Sequence, residues 1–172
     1  MATLTYTSRE EIEVHKFSVL ATVGIPLLAI FFQAYVSAHF NFLKLFDIPL
    51  IVTIFFAVSR RNQLAGMLTG CAIGMAQDTL THLPIGIYGI AKTVTGYAAS
   101  SIGVKVDVDN PGSRFLMMFF FTFFHDGIYF IVSRQLLGLP AEWRWMHEVS
   151  AAVANSALAV ILFTLMDRTK KR

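Results

Sequence analysis

Six long apolar stretches constrain the fold of this chain more than any other feature of its sequence. A helix needs about 20 mostly apolar residues to cross the roughly 30 Å hydrocarbon core of a bilayer. The second stretch is short and is led by Asp47-Ile48-Pro49, so it crosses only if Lys44 snorkels or the span is locally distorted. We therefore predict an all-α integral membrane protein, a six-transmembrane-helix bundle in which 1–172 forms a single membrane domain. The expected spans are 17–38, 44–59, 63–82, 84–104, 115–137 and 149–166.

The composition argues against most soluble classes of protein. Hydrophobic residues make up 55% of the 172 residues and charged residues only 15%, whereas a soluble domain has about 25% charged residues. The 16 Phe exclude disorder, and Cys71 has no second cysteine with which to form an internal disulfide. The net charge of +3 does not indicate nucleic-acid binding, because the basic residues stand at the ends of apolar stretches.

The positions of these basic residues predict the orientation, because Lys and Arg are enriched in cytoplasmic loops. Six spans return the chain to its starting side. Three basic residues (Lys44, Arg134 and Arg144) fall on one side, ten fall on the other, and Lys92 lies inside a span. We therefore expect both termini in the cytoplasm. The ten are Arg9, Lys16, Arg60, Arg61, Lys105, Arg114, Arg168, Lys170, Lys171 and Arg172.

Ionisable residues inside the spans are candidate functional residues, because each costs about 2.5–3.5 kcal/mol to insert near the centre of a helix. Asp78, Lys92 and Asp126 are of this kind, and Gln77 precedes the first of them. The Lys92 side chain is long enough to reach either carboxylate. Two interpretations stay open: a structural ion pair, or an intramembrane polar pocket formed by Gln77, Asp78, Lys92 and Asp126.

Small residues predict that the third and fourth spans pack on each other. Such residues let two helix backbones approach closely within a membrane. The third span repeats them every four residues, and the fourth at steps of three and four. The predicted helix-packing or partner-binding residues are Gly66, Gly70, Gly74, Gly86, Gly89, Gly96 and Tyr97.

Further polar residues predict a partly polar interior that opens toward the outer leaflet. One stripe of the fifth span carries Thr122, Asp126, Tyr129 and Ser133, the sixth span carries Asn155 and Ser156, and the first carries Gln33. No HExxH, GxSxG or Walker A sequence and no set of cysteine ligands occurs. Asp78, His82, His125 and Asp126 are metal-ligand types, but their spacing across spans is unconstrained. We expect no catalytic residue, no metal site, no cofactor and no enzyme activity.

The third and fourth spans carry a recognisable order of motifs. A small-residue helix with Leu64-Ala65-Gly66, Gly70 and Gly74 leads to Gln77-Asp78, a short turn with Pro84-Ile85-Gly86, and a helix containing Gly96-Tyr97. This order resembles the rod shape-determining protein MreD family. The resemblance covers roughly 60–104, about a quarter of the chain.

The resemblance implies a non-enzymatic scaffold subunit of the bacterial cell-elongation (Rod) complex in the cytoplasmic (inner) membrane. Its implied partners are MreC, RodA with its penicillin-binding transpeptidase, and the filament protein MreB, reached directly or through the complex. The family is also similar in fold to the substrate-binding subunits of energy-coupling-factor transporters. A solute-binding subunit of such a transporter is therefore the alternative function, and a third hypothesis, an intramembrane enzyme, depends only on the Asp and His residues.

Overall fold

The computed structural model describes residues 16–40, 44–81, 84–103 and 110–171. Six α-helices form within these residues, as the sequence predicts. They are α1 Val19–His39, α2 Ile48–Arg60, α3 Gln63–Leu80, α4 Ile87–Gly103, α5 Pro111–Ile131 and α6 Trp145–Met166. A π-helical turn, Val132–Leu136, extends α5, and a 3₁₀ turn, Asp167–Thr169, follows α6. The two-residue strands β1 (Lys16–Phe17) and β2 (Lys170–Lys171) pair antiparallel and join the two ends of the described chain.

Consecutive helices run in opposite directions, so the bundle has two distinct ends. We call the end where α2, α4 and α6 begin the polar end, and the opposite end the basic end. At the basic end, Arg60 donates a hydrogen bond to Thr22 over 2.7 Å. Arg114 forms an ion pair of 2.6 Å with Asp167 there, which connects α5 to the end of α6.

Short polar side chains mark where several helices begin. Ser18, Asp47, Asn62 and Asn110 each accept a hydrogen bond from a backbone N–H in the first turn of the following helix. These caps satisfy backbone donors that have no partner within the helix. The fourth helix differs from the prediction, because Ile85 and Gly86 form a turn and α4 begins at Ile87 rather than at 84. Helices α5 and α6 begin earlier than predicted, at Pro111 and Trp145.

Helix α2 lies at the centre of the bundle. All its residues from Pro49 to Ser59 are buried, and Phe55 packs edge-on against Phe163 of α6 with ring centroids 5.2 Å apart. Its 13 residues rise only about 20 Å, less than the thickness of a bilayer core. Because other helices surround α2, its buried residues do not face lipid.

The outer surface of the bundle is strongly apolar. Leu28 of α1 is 72% exposed, Leu116 of α5 69% and Ile161 of α6 67%, and apolar surface on this scale marks a membrane or an interaction site. By length and composition, Pro111–Leu136 and Trp145–Asp167 could each cross a membrane. Helices α3 and α4 are less hydropathic because they carry many Gly, Ser and Thr residues.

Candidate functional site

Glycines bring α3 and α4 into backbone contact. A Cβ atom on Gly66 would lie 2.6 Å from the carbonyl oxygen of Gly96, and one on Gly74 would lie 2.7 Å from the Cα of Gly89. Between them, a Cβ on Gly70 would overlap the backbone of Lys92. No side chain fits at these positions without moving a helix. The structure therefore brings five of the predicted glycines together in one antiparallel contact inside the protein.

Asp78 caps the neighbouring helix rather than lining a pocket. Its carboxylate is fully buried and accepts hydrogen bonds from the backbone N–H groups of Gly86 (2.8 Å), Tyr88 (3.0 Å) and Gly89 (3.2 Å). These donors open α4, where the helix dipole also favours a negative charge. The carboxylate of Asp78 therefore fixes the Pro-x-Gly turn to the end of α3.

Two residues of the predicted helix-packing or partner-binding set lie outside the glycine contact. Gly86 makes no helix-packing contact: its φ is +114°, which favours glycine, and a Cβ there would meet nothing within 4 Å. Its position serves the turn. Tyr97 is 45% exposed on α4, so it stands on the surface of the bundle and not within the glycine contact.

Lys92 pairs with neither of the two carboxylates that the sequence suggested. Its ammonium group is fully buried and lies 2.6 Å from Oδ2 of Asp47, the residue that caps α2. The ring of Tyr88 lies 5.0 Å from the same nitrogen. A pairing with Asp78 or Asp126, one of the two interpretations that the sequence left open, does not form because Asp78 accepts hydrogen bonds from the start of α4 and Asp126 contacts His125.

The segment that carries Asp47 is held at the polar end by side chains from two other helices. Gln33 of α1 donates to the carbonyl of Phe46 over 2.8 Å. Asn155 of α6 donates to the carbonyl of Leu45 over 3.0 Å and accepts from the N–H of Asp47 over 2.8 Å. The polar residues seen in the first and sixth spans thus satisfy irregular backbone that would otherwise lack partners.

A cavity of about 550 Å³ lies beside this segment at the polar end. Of the four residues predicted to form a polar pocket, Gln77 and Asp126 line it, while Asp78 and Lys92 are not among its lining residues. Other polar residues that line it are Gln33, Lys44, Asp47, Thr81, Tyr88, Thr122, His125, Tyr129, Glu142, Trp143, His147, Glu148 and Asn155.

His125 and Asp126 form a hydrogen-bonded pair on the wall of this cavity. Nδ1 of His125 lies 3.0 Å from Oδ1 of Asp126, and the imidazole is 1% exposed. Across the described ranges, no group of three or more His, Cys, Asp or Glu side chains is arranged to hold a metal ion. His82, which the sequence suggested as a ligand type, lies outside the described residues.

The sequence did not single out Asp47 as a site residue, nor the acidic residues Glu142 and Glu148. Asp47 could have been identified as a helix cap from its position before Ile48-Pro49. Its contact with Lys92, 45 residues away, leaves no local pattern in the sequence. The two glutamates belong to the connection before α6 and to its first turn.

Comparison with known protein families identifies the chain. The model of the family described as rod shape-determining protein MreD matches residues 15–168. The chain belongs to the MreD family. The match extends far beyond the segment 60–104 that suggested it, and takes in the cavity and all six helices. No curated protein and no solved structure gives a significant match.

Membership of the MreD family establishes two general properties of this protein. MreD proteins are membrane proteins, and the family is defined by a role in determining rod shape. Within the chain, the motif order that carries the resemblance now has a physical explanation. The glycines of α3 and α4 form the close contact, and Asp78 fixes the turn at Gly86 that joins the two helices.

Proposed function

We propose that this protein is a non-enzymatic scaffold subunit of the cell-elongation (Rod) complex. In this role it binds MreC, associates with RodA and its penicillin-binding transpeptidase, and helps couple the MreB filament to peptidoglycan synthesis. The observation that carries the proposal is the MreD family match over residues 15–168. The α3–α4 contact supports it, because two backbones in direct contact give a rigid surface on which partner helices can pack.

The proposed location is the bacterial inner membrane, with six crossings, a single membrane domain and both termini in the cytoplasm. Among the described residues, seven Lys and Arg lie at the basic end and three at the polar end, as the positive-inside rule requires for this orientation. The apolar outer surface of the bundle and the central position of α2 also support six crossings. The cavity would then open on the side of the membrane away from the cytoplasm.

Tyr97 is the residue of the predicted set through which a partner would bind most directly. Five glycines of that set meet in the α3–α4 contact inside the bundle, whereas the Tyr97 side chain is 45% exposed. An aromatic side chain offers a large apolar contact and a hydroxyl group that can bond a partner. We therefore assign the glycines to packing and Tyr97 to partner contact.

Affinity purification of the full-length protein from native membranes in a mild detergent tests the proposal. We expect mass spectrometry to identify MreC, a single-span coiled-coil protein, together with the RodA polymerase. A Tyr97→Ala variant should recover less of these partners while inserting normally, and Phe120→Ala, on the exposed surface of α5, is the matched control. Recovery of neither partner by the wild-type protein would contradict the scaffold role.

The cavity favours one second candidate, the solute-binding subunit of an energy-coupling-factor type transporter. Its volume of about 550 Å³ falls within the usual range of small-molecule sites. The same purification separates the two functions, because a transporter subunit would recover a pair of ATPases with a coupling subunit. We rank the scaffold first because the family match points to rod shape and not to transport.

A further inference from the structure

Four residues that line the cavity at the polar end carry a buried polar atom with no hydrogen-bond partner among the described residues. Oε1 of Gln77, Oγ1 of Thr122, Nε2 of His125 and Nε1 of Trp143 are all buried without a hydrogen bond. Elsewhere, buried hydroxyls such as those of Thr95 and Ser156 bond to carbonyls of their own helices. Because an unpaired buried polar group costs about 1–3 kcal/mol, four at one cavity indicate a ligand that supplies the missing hydrogen bonds.

Three of these four atoms can accept a hydrogen bond. A carboxylate can only accept, so in the contact with Asp126 it is Nδ1 of His125 that carries the proton. In a neutral imidazole Nε2 is then an acceptor. The amide oxygen of Gln77 is an acceptor as well, and the hydroxyl of Thr122 can accept. Only the indole N–H of Trp143 is restricted to donating, so the cavity is matched to a ligand rich in donors.

The charges around the cavity favour a ligand that carries donors and a positive charge. Four carboxylates line it, those of Asp47, Asp126, Glu142 and Glu148. Lys92, which does not line the cavity, forms an ion pair with Asp47. Lys44 is the one Lys or Arg among the described lining residues. The carboxylates of Asp126, Glu142 and Glu148 thus share one lining ammonium group, that of Lys44, and outside the lining Arg144 also attracts Glu148. Asp126 and Glu148 act on each other as like charges, a repulsion that a bound cation would relieve.

Aromatic rings complete the wall. Tyr88 and Tyr129 pack with their ring centroids 4.9 Å apart, and Trp143 lies among the same lining residues. The faces of such rings attract cations, and an ammonium ligand is a known partner of aromatic walls. Tyr88 already has a cation at one face, the Lys92 ammonium. Tyr129 and Trp143 are lining rings with no cation on their faces among the described residues, although Trp143 also packs edge-on against Phe123, Phe130 and Trp145.

We propose that this cavity is a binding site for an organic ammonium group. An ammonium group has three N–H donors and no acceptor, which suits Gln77, His125 and the carboxylates of Asp126 and Glu148. Two sources share this chemistry: a small soluble amine, or the ethanolamine headgroup of a phospholipid that enters from the bilayer. This ligand site goes beyond the scaffold role, and partner capture and amine binding can each be present or absent without the other.

Binding measurements on the purified full-length protein test the proposal. The first arm titrates ethanolamine in detergent, with ethylene glycol and glycolate as neutral and anionic probes of similar size. The second arm compares nanodiscs that contain phosphatidylethanolamine with nanodiscs of phosphatidylglycerol. We expect saturable binding of ethanolamine alone if the ligand is a soluble amine. Selective retention of phosphatidylethanolamine is expected if it is a lipid.

Variants connect this binding to the cavity. Asp126→Asn and Glu148→Gln should each lower the affinity for the amine at least about tenfold, since each removes a charged hydrogen-bond acceptor. Asp167→Asn removes a carboxylate at the opposite end of the bundle and should leave binding unchanged. Among the described residues the one side-chain hydrogen bond of Glu148 is a 3.4 Å contact with His147, so Glu148→Gln should fold even if Asp126→Asn does not.

Two results would overturn the proposal. One is the absence of selective binding in both arms, which includes equal binding of ethanolamine and ethylene glycol without selective retention of phosphatidylethanolamine. The other is selective amine binding that Glu148→Gln and Asp167→Asn weaken by the same factor, because the amine would then respond to net charge and not to the cavity.

Discussion

Asp78 illustrates how one buried side chain can define a turn. Replacing it in Asp78→Ala leaves the N–H groups of Gly86, Tyr88 and Gly89 without their acceptor, and we expect a loss of about 3 kcal/mol in the free energy of unfolding. The midpoint of thermal unfolding in a mild detergent measures it. Thr79→Ala is the matched control, because that exposed hydroxyl bonds only within its own helix. Equal midpoints for the two variants would contradict the capping role.

Lys92 and Asp47 should behave as a coupled pair. Lys92→Met removes the partner of a carboxylate at the start of α2, and we expect it to destabilise the protein by about 3–5 kcal/mol. The double variant Lys92→Met with Asp47→Asn should recover part of that loss, because no unpaired charge then remains. A double-mutant cycle of unfolding midpoints measures the coupling. Additive effects of the two substitutions would show that the pair contributes nothing.

The sequence identified several of these residues but not their partners. Asp78 and Lys92 stood out because charged residues are costly inside a span, and that signal is local. The partner of each is fixed by packing: Asp78 reaches the next helix across a turn, and Lys92 reaches a residue in another helix. The sequence could not separate Gly86 from the packing glycines, because a glycine needed for its positive φ looks the same in the sequence as one needed for close packing.

At the scale of helices, a glycine inside the α3–α4 contact and a glycine outside it should respond differently to substitution by alanine. Gly70→Ala would place a Cβ against the backbone of Lys92, so the two helices must separate. Gly127→Ala in α5 meets nothing within 4 Å and replaces glycine with a better helix former. We expect Gly70→Ala to lower the midpoint of thermal unfolding by several degrees and Gly127→Ala to leave it unchanged or raise it. The reverse order would contradict the packing described.

The helices themselves follow closely from the sequence, because apolar stretches and caps are local patterns. Asp47 before Pro49, and Asn110 before Pro111, mark the starts of α2 and α5. The central position of α2 does not follow from its sequence. An apolar helix that faces lipid and one enclosed by other helices have the same composition, and only the contacts with Phe163 and its neighbours distinguish them.

At the scale of the whole molecule, the proposed orientation can be tested with single cysteines. In a Cys71→Ala background, Pro140→Cys places a thiol at the polar end and Thr169→Cys places one at the basic end, both at exposed positions. A membrane-impermeant maleimide added to spheroplasts should label Pro140→Cys and not Thr169→Cys. Permeabilised membranes, in which both should react, are the control. Labelling of Thr169→Cys and not of Pro140→Cys would show that the protein has the opposite orientation.

The cavity is the feature of the whole molecule that the sequence predicted least fully. A polar interior followed from the polar residues in the spans, and Gln77 and Asp126 do line the cavity. Two of its four lining carboxylates, which the sequence did not single out as site residues, belong to Glu142 and Glu148, which lie before α6 and in its first turn. Their approach to Asp126 depends on how α5 and α6 pack, and no pattern along the chain records it.

The central claim, a role in rod shape, is tested most directly by depleting the protein in its rod-shaped host and measuring cell width and length. We predict that depleted cells widen and become round, that the wild-type chain restores rods, and that Asp78→Ala restores them poorly while Thr79→Ala restores them fully. Cells that keep their normal width and length after full depletion would contradict the claim.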